Sequence, residues 1–205
     1  MSTSTNPPAI ADFLTPPPEP MKLLRSWLAS ASADNVREPG ALALASSSSS
    51  GHASNRIVQM LDVRNTGIVF ASHTGSRKGR ELAATSWASG VLYWREVGRQ
   101  VIVTGPTHPL PETESDALWA ARNVSTHPMS VASQQSEPLP DPDELRARAD
   151  RLGRAGAALP RPNSWVGYLV ETQSAEFWQS DPDRLHQRLL YEKTGSSWRA
   201  SRLQP

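Results

Sequence analysis

The chain has 205 residues, enough for one domain with a sizeable core. Its 21 Lys and Arg nearly cancel 20 Asp and Glu, leaving +1, so no bulk positive field marks it as a nucleic-acid binder. It has no cysteine, which excludes a disulfide framework and a Cys-ligated metal, and no apolar run near the ~20 residues that a membrane span needs.

The start of the chain lacks the charged region and apolar core of a signal peptide, and a soluble cytoplasmic protein is the expectation. Six prolines, Pro7, Pro8, Pro16, Pro17, Pro18 and Pro20, crowd the first twenty residues. Proline lacks an N–H and resists helix and ladder, so 1–19 reads as an extended or disordered arm, free or folded over a partner. Residues 20–205 form the domain proper. Met21, Leu24, Trp27, Leu28 and Ala31 recur at helical spacing and predict a helix over 20–34. Ala41 to Ala45 reads as a strand of small residues, and the serine run 46–50 with Gly51 as a long hairpin loop. Strands at 56–63 and 67–72 flank the turn signal Arg64-Asn65-Thr66-Gly67. A helix at 76–85 and strands at 88–95 and 99–105 follow. Glu112 to Arg122 reads as a short helix, 126–136 carries no clear pattern, and Asp141-Pro142 opens a helix that runs to about Gly153. Strands at 166–171, 175–178, 189–193 and 198–203 close the chain. The balance is mainly β with peripheral helices, an antiparallel barrel rather than a doubly wound parallel sheet.

The chemistry concentrates at Gly75-Ser76-Arg77-Lys78-Gly79-Arg80-Glu81-Leu82, after the apolar run 68–72. Strand, tight turn and helix are implied, with Ser76 as N-cap and two cations beside the first free N–H groups. That is a seat for a phosphate, or equally a solvated basic helix start. Arg56 upstream and Arg184-Leu185-His186-Gln187-Arg188 downstream add separate anion grips, which suggest a nucleotide cofactor and an acidic substrate. Trp178 reads as core or site, and Trp87, Tyr93 and Trp94 as strand core or dimer contacts. No ligand spacing supports a metal site, and no nucleophile elbow is present.

Arg56-Ile57-Val58, Gly75-Ser76-Arg77-Lys78, Arg99-Gln100-Val101, Gln135-Ser136, Glu176-Phe177-Trp178, Arg184 to Arg188 and the ending Arg202-Leu203-Gln204-Pro205 resemble, in this order, the motifs of pyridoxamine 5'-phosphate oxidases. Arg37-Glu38-Pro39, Gly79 to Leu82, Trp87 to Glu96, Thr126 to Ser130 and Leu159 to Pro162 resemble the phenazine-biosynthesis branch of that family. The resemblance implies an FMN-binding split β-barrel and a homodimer with FMN in the cleft between subunits. It assigns Arg56, Arg77 and Lys78 to the phosphate, and Ser72 and Ser136 to hydroxyl contacts. Gln100 and Gln135 are matched to the flavin edge, and Ile57 and Val58 to ring packing. Gln59, Ala71 and Ser76 complete the set, with Trp178 and Arg188 supplied by the other subunit. Arg184, His186, Arg122 and Thr126 match substrate positions. Leu61 and Leu118 stand where a Lys and a Tyr hold the substrate phosphate in pyridoxamine-phosphate oxidases. Losing two charge-assisted or polar donors, each worth ~1.5–3 kcal/mol, disfavours a vitamin phosphate. The implied activity is an FMN-dependent oxidase acting on a partly reduced phenazine carboxylate in antibiotic biosynthesis, with dioxygen as acceptor and hydrogen peroxide as product. The alternatives are a pyridoxine/pyridoxamine 5'-phosphate oxidase and a non-catalytic flavin-binding split-barrel protein.

Overall fold

A computed structural model describes residues 9–205; the part of the expected arm before residue 9 lies outside them. Six helices and nine strands follow one another: α1 (Ala9–Leu14), α2 (Pro20–Ala33), β1 (Ala41–Ser47), β2 (Ala53–Val63), β3 (Gly67–His73), α3 (Arg77–Thr85), β4 (Trp87–Trp94), β5 (Arg99–Pro109), α4 (Glu112–Ala120), α5 (His127–Ala132), α6 (Pro142–Gly153), β6 (Trp165–Glu171), β7 (Ser174–Gln179), β8 (Gln187–Thr194) and β9 (Ser197–Arg202). No helix among the described residues is long and apolar enough to cross a membrane.

Every strand pairing is antiparallel. The order β4-β1-β2-β3-β6-β5 returns to β4, so six strands close a barrel, and β7-β8-β9 extend from β5. Closure pairs both edges of those six strands, while β9, paired only with β8, ends the extension as an edge. Strand β5 is the hinge of the design. Its first residues pair with β4 on one side and β7 on the other, and Thr107 to Pro109 cross to β6. Gly105 permits the crossing: any Cβ there would run into the Glu171 carbonyl. The sequence reading ended this strand at 105, because the crossover pairing is not local.

Period-two alternation fills the barrel. Leu42 and Leu44 of β1, Leu92 of β4, Val101 and Val103 of β5, and Phe177 of β7 point inward and are fully buried or nearly so. Helix α2, started by Pro20 at its first turn, lays Met21, Leu24, Trp27 and Ala31 on the same core. Trp27 meets Phe177 edge-on at 5.2 Å.

The arm departs from expectation. Residues 9–14 are helical, Phe13 is buried against Trp27, and the Tyr191 hydroxyl donates to the Pro17 carbonyl at 2.8 Å. Prolines in 16–20 break the helix, yet Phe13 supplies enough apolar surface to pin the segment. The serine run departs too. Strand β1 continues through Ser47, so Ser46 is a strand residue facing inward and only the tip is loop.

The opposite face of the sheet is apolar and uncovered. Cross-strand partners run Ile57–Ala43–Val91–Ile102–Glu176–Leu190 across six strands. A second row runs Tyr93–Gln100–Trp178–Arg188. Ile57, Trp87 and Tyr93 are exposed, while Trp94 is core.

Candidate functional site

A cleft of about 530 Å3 opens between β2, β3, the start of α3 and the segment after α5. Ten of the residues singled out in the sequence line it: Arg56, Ile57, Val58, Gln59, Ala71, Ser72, Arg77, Lys78, Gln135 and Ser136. Local rules explain the placement. Strand β3 ends at His73, and the Ser76 hydroxyl caps α3 by accepting from the Gly79 N–H at 3.2 Å. The turn between them is so tight that a Cβ at Gly79 would press on the Thr74 and His73 carbonyls. This turn sets Arg77 and Lys78 at the cleft wall.

The Lys78 amine donates to Ser72 Oγ at 3.0 Å and to Gln135 Oε1 at 3.0 Å. Burial, and next the nearby Arg56 charge, lower it to about 8, with Glu81 pulling the other way. Ser136 adopts φ 75°, and its hydroxyl accepts from the Arg77 N–H at 3.1 Å. Arg56 is clamped from behind: its guanidinium donates to the Leu44 carbonyl at 3.2 Å, Ser46 Oγ at 2.6 Å and Ser54 Oγ at 2.5 Å.

Three residues missed in the sequence hold this arrangement. Glu81, almost fully buried, receives Ser46 and Ser54 at 2.6 Å each, Arg56 at 3.2 Å and Arg77 at 2.9 Å. Burial pushes its carboxyl up, but the hydrogen bonds from Ser46, Ser54, Arg77 and Arg56 outweigh that and hold it at about 2. Glu81 stands four residues after Arg77 on the buried face of α3, and that spacing is the signal that could have found it.

The expectation for the helix start is corrected in one respect. The N–H groups of Arg77, Gly79 and Arg80 are already bonded to Ser136, to the Ser76 hydroxyl and to the Ser76 carbonyl. Those three amides are spent within the chain, and the cations at the cleft wall are the Arg56, Arg77 and Lys78 side chains. Ser76 itself is fully buried and spent on capping, with its hydroxyl donating to the His73 carbonyl at 2.7 Å, so it does not face the cleft.

The other predicted residues lie elsewhere. Gln100, Trp178 and Arg188 share one row on the outer face of β5, β7 and β8. Strand β5 is three strands from β2 by either route around the ring, and none of these three residues lines the cleft. Arg188 donates to Glu176 at 2.8 Å and to the Gln204 carbonyl at 3.0 Å. Arg184 and His186 occupy the β7–β8 connection beside that row. Arg184 adopts φ 65°, a left-handed conformation uncommon for a non-glycine residue. His186 accepts from the Asp181 N–H at Nδ1, 3.0 Å, and its ring lies 5.0 Å from that of Trp178. That bond places the neutral ring's proton on Nε2.

Arg122 is wedged between the rings of Trp119 and Trp165, 5.1 Å from each, with Nη1 buried and without a partner. It faces His73, whose pKa is lowered by burial first, then by Arg122 and Lys78. Thr126 is exposed and donates to the Asn123 carbonyl at 2.7 Å. Leu61 lines a separate groove against α2, and Leu118 packs over Gly167.

The cleft suits the phosphate end of a flavin nucleotide. Arg56, Arg77 and Lys78 supply the cations, and hydroxyl and amide groups supply mixed donors and acceptors.

Comparison with known proteins gives the chain's family. Residues 28–154 match the family described as pyridoxamine 5'-phosphate oxidase, and residues 165–205 match the pyridoxine 5'-phosphate oxidase C-terminal dimerisation region. A dihydrophenazinedicarboxylate synthase of Burkholderia lata is 50% identical over 95% of this chain and 92% of its own length. One from Pseudomonas chlororaphis is 41% identical over 99% and 91%. A pyridoxine/pyridoxamine 5'-phosphate oxidase of Rubrobacter xylanophilus is 39% identical over 92% and 88%. The crystal structure of PhzG from Burkholderia lata in complex with tetrahydrophenazine-1-carboxylic acid superposes with a TM-score of 0.93 at 49% identity, covering 95% of this chain and 96% of that one. An FMN-binding protein of Nostoc punctiforme, 14% identical with a TM-score of 0.71 over 91% of this chain and 98% of that one, shares the fold.

Proposed function

Because this chain belongs to the pyridoxamine 5'-phosphate oxidase family, we propose that it is an FMN-dependent oxidase of phenazine biosynthesis, acting on a partly reduced phenazine carboxylate. The observation that carries this reading is the 50% identity, over nearly the whole chain, to a dihydrophenazinedicarboxylate synthase. The Burkholderia lata PhzG structure, at 49% identity, holds a tetrahydrophenazine carboxylate.

FMN bound in the cleft would supply a two-electron acceptor for hydride from the substrate, passing the electrons to dioxygen to give hydrogen peroxide. The chain's own residues bind and orient. Arg56, Arg77 and Lys78 grip the phosphate, with Ser72, Gln135 and Ser136 beside them. Ile57 and Val58 pack against the ring, with Gln59 and Ala71 on the walls. The site is completed by a second copy of the chain, which covers the apolar rows and brings Trp178 and Arg188 over the cleft, with Gln100 on the same row. The uncovered rows of Ile57, Val91, Ile102 and Leu190 support that homodimer, as does the match of 165–205 to a dimerisation region.

Substrate binding falls to Arg184 and His186 of the β7–β8 connection, beside Trp178. The strained backbone at Arg184 presents its guanidinium to a carboxylate. The Asp181 N–H fixes the His186 tautomer so that Nε2 keeps a proton to donate to that carboxylate. Arg122 and Thr126 complete the substrate set, and Arg122 is the stronger member because its Nη1 is unpaired. Aromatisation of the tricycle drives the reaction, so positioning and exclusion of water are what the protein must provide.

The test is anaerobic bleaching of the FMN-loaded protein. A freshly reduced phenazine carboxylate should bleach it fast and pyridoxine 5'-phosphate slowly, and Arg184→Ala should reduce the first rate at low substrate. Fast bleaching by the vitamin phosphate alone would reassign the protein to that oxidation. No bleaching by either would leave a flavin carrier.

A further inference from the structure

Glu81 is the least expected group beside the cleft. A carboxylate near an anion site repels the ligand, yet this one lies behind the cleft lining, almost fully buried, and holds four hydrogen bonds from three elements. Ser46 comes from β1, Ser54 and Arg56 from β2, and Arg77 from α3. The register places Ser46 directly opposite Ser54 and Leu44 opposite Arg56, so strand pairing itself delivers the three β donors to one point. Both cleft guanidiniums end on Glu81. Arg77, whose side chain is 60% exposed, donates from Nε to this carboxylate at 2.9 Å.

From this geometry we propose that Glu81 is a positioning residue for cofactor recognition. It aims Arg56 and Arg77 into the cleft and balances three cations with one anion, which leaves the seat near +2 and matched to a dianionic phosphate monoester. The inference rests on the reading that the cleft holds the flavin phosphate. It goes further by giving a buried acid behind the cleft control over which flavin is retained. FMN carries the dianion and riboflavin does not.

Glu81 acts on Lys78 as well. The groups facing that amine are Arg56 from β2, Ser72 and His73 from β3, Ser76 at the start of α3, Glu81 from α3, and Gln135 after α5. Burial and Arg56 favour loss of its proton, and Glu81 opposes them. His73 is lowered from 6.5, so Lys78 is the group of this set that changes charge on the alkaline side of neutrality. FMN affinity should therefore fall as pH rises through about 8. Without Glu81 the fall should begin at lower pH.

The experiment is a fluorescence titration of the flavin-free protein with FMN and with riboflavin between pH 6 and 10. The proteins are wild type, Glu81→Gln and Glu81→Asp, each checked for folding by circular dichroism. Wild type should prefer FMN by about 100-fold or more at pH 7. Glu81→Gln should lose about tenfold or more of FMN affinity, keep riboflavin affinity within about twofold, and move the alkaline limb down by about one pH unit. Glu81→Asp keeps the charge but withdraws it from Arg77. It should lose FMN affinity with the limb in place. Unchanged FMN affinity and an unchanged limb in Glu81→Gln overturn the proposal. Should Glu81→Gln fail to fold, unchanged FMN affinity in Glu81→Asp overturns it. Equal affinity of wild type for FMN and riboflavin overturns instead the placement of the phosphate on which the proposal rests.

Discussion

Replacing Lys78 by Met should stabilise the flavin-free protein at neutral pH while weakening its hold on the cofactor. Lys78 is held at about 8 rather than 10.5. It is charged in both folded and unfolded chains at pH 7, and folding must carry that charge under the cleft surface. The full depression corresponds to about 3.4 kcal/mol, and water at the cleft mouth screens it to about 2. Met removes this cost but gives up the amine's bonds to Ser72 and Gln135, about 1 kcal/mol net. The variant should therefore be about 1 kcal/mol more stable at pH 7, or about 2–4 °C in Tm. The sign reverses with pH. Between about 8 and 10.5 the folded protein releases its proton before the unfolded chain does, so wild-type stability rises across that window relative to the variant. At pH 10.5 wild type should lead by about 1 kcal/mol. Thermal melts of both flavin-free proteins at matched concentration from pH 7 to 10.5 measure this, because the difference between the curves isolates Lys78. A variant less stable at pH 7, or a difference that stays flat across the range, refutes the reasoning.

Three further outcomes are expected. Gly79→Ala drives a methyl against the Thr74 and His73 carbonyls, so it should cost about 2 kcal/mol or more in melting and loosen FMN binding, since the turn that aims Lys78 must open. Ile102→Asp sets a charge in the middle of the uncovered apolar row, and light scattering should show a shift from dimer to monomer with FMN retention reduced about tenfold or more. Phe13→Ala removes a nearly fully buried ring from Trp27 and should cost about 2–4 kcal/mol by chemical denaturation, whereas a free arm would cost nothing.

What the sequence showed plainly was local. Ser76 as cap, the turn at 64–67 and the apolar run of 68–72 each express a rule spanning a few residues, and the helix start they position is where it was expected. The cation set was readable for the same reason, since Arg77 and Lys78 are adjacent and Arg56 sits in a run of clear strand character. What did not show depends on register. Ser46 read as part of a hairpin loop because five consecutive serines carry no alternation of polarity, and only pairing with 53–59 makes it an inward strand residue bonded to Arg56 and Glu81. The barrel itself was expected, but the crossing of β5 to β6 was hidden for the same reason, because β5 changes partner at Gly105 and no local pattern records that. Phe13 was masked by its prolines. One clue was nonetheless present. Lys78, Glu81 and Leu82 share one buried face of α3, and a short helix that buries a lysine and a glutamate beside a leucine must answer both charges from elsewhere. The glutamate's partners had to be cations or hydroxyls brought by other strands, and the nearest in the sequence were Arg56 and the serines on either side of the first hairpin. Read that way, the serine run belongs to the anion seat, and the buried acid marks where the cations must be held.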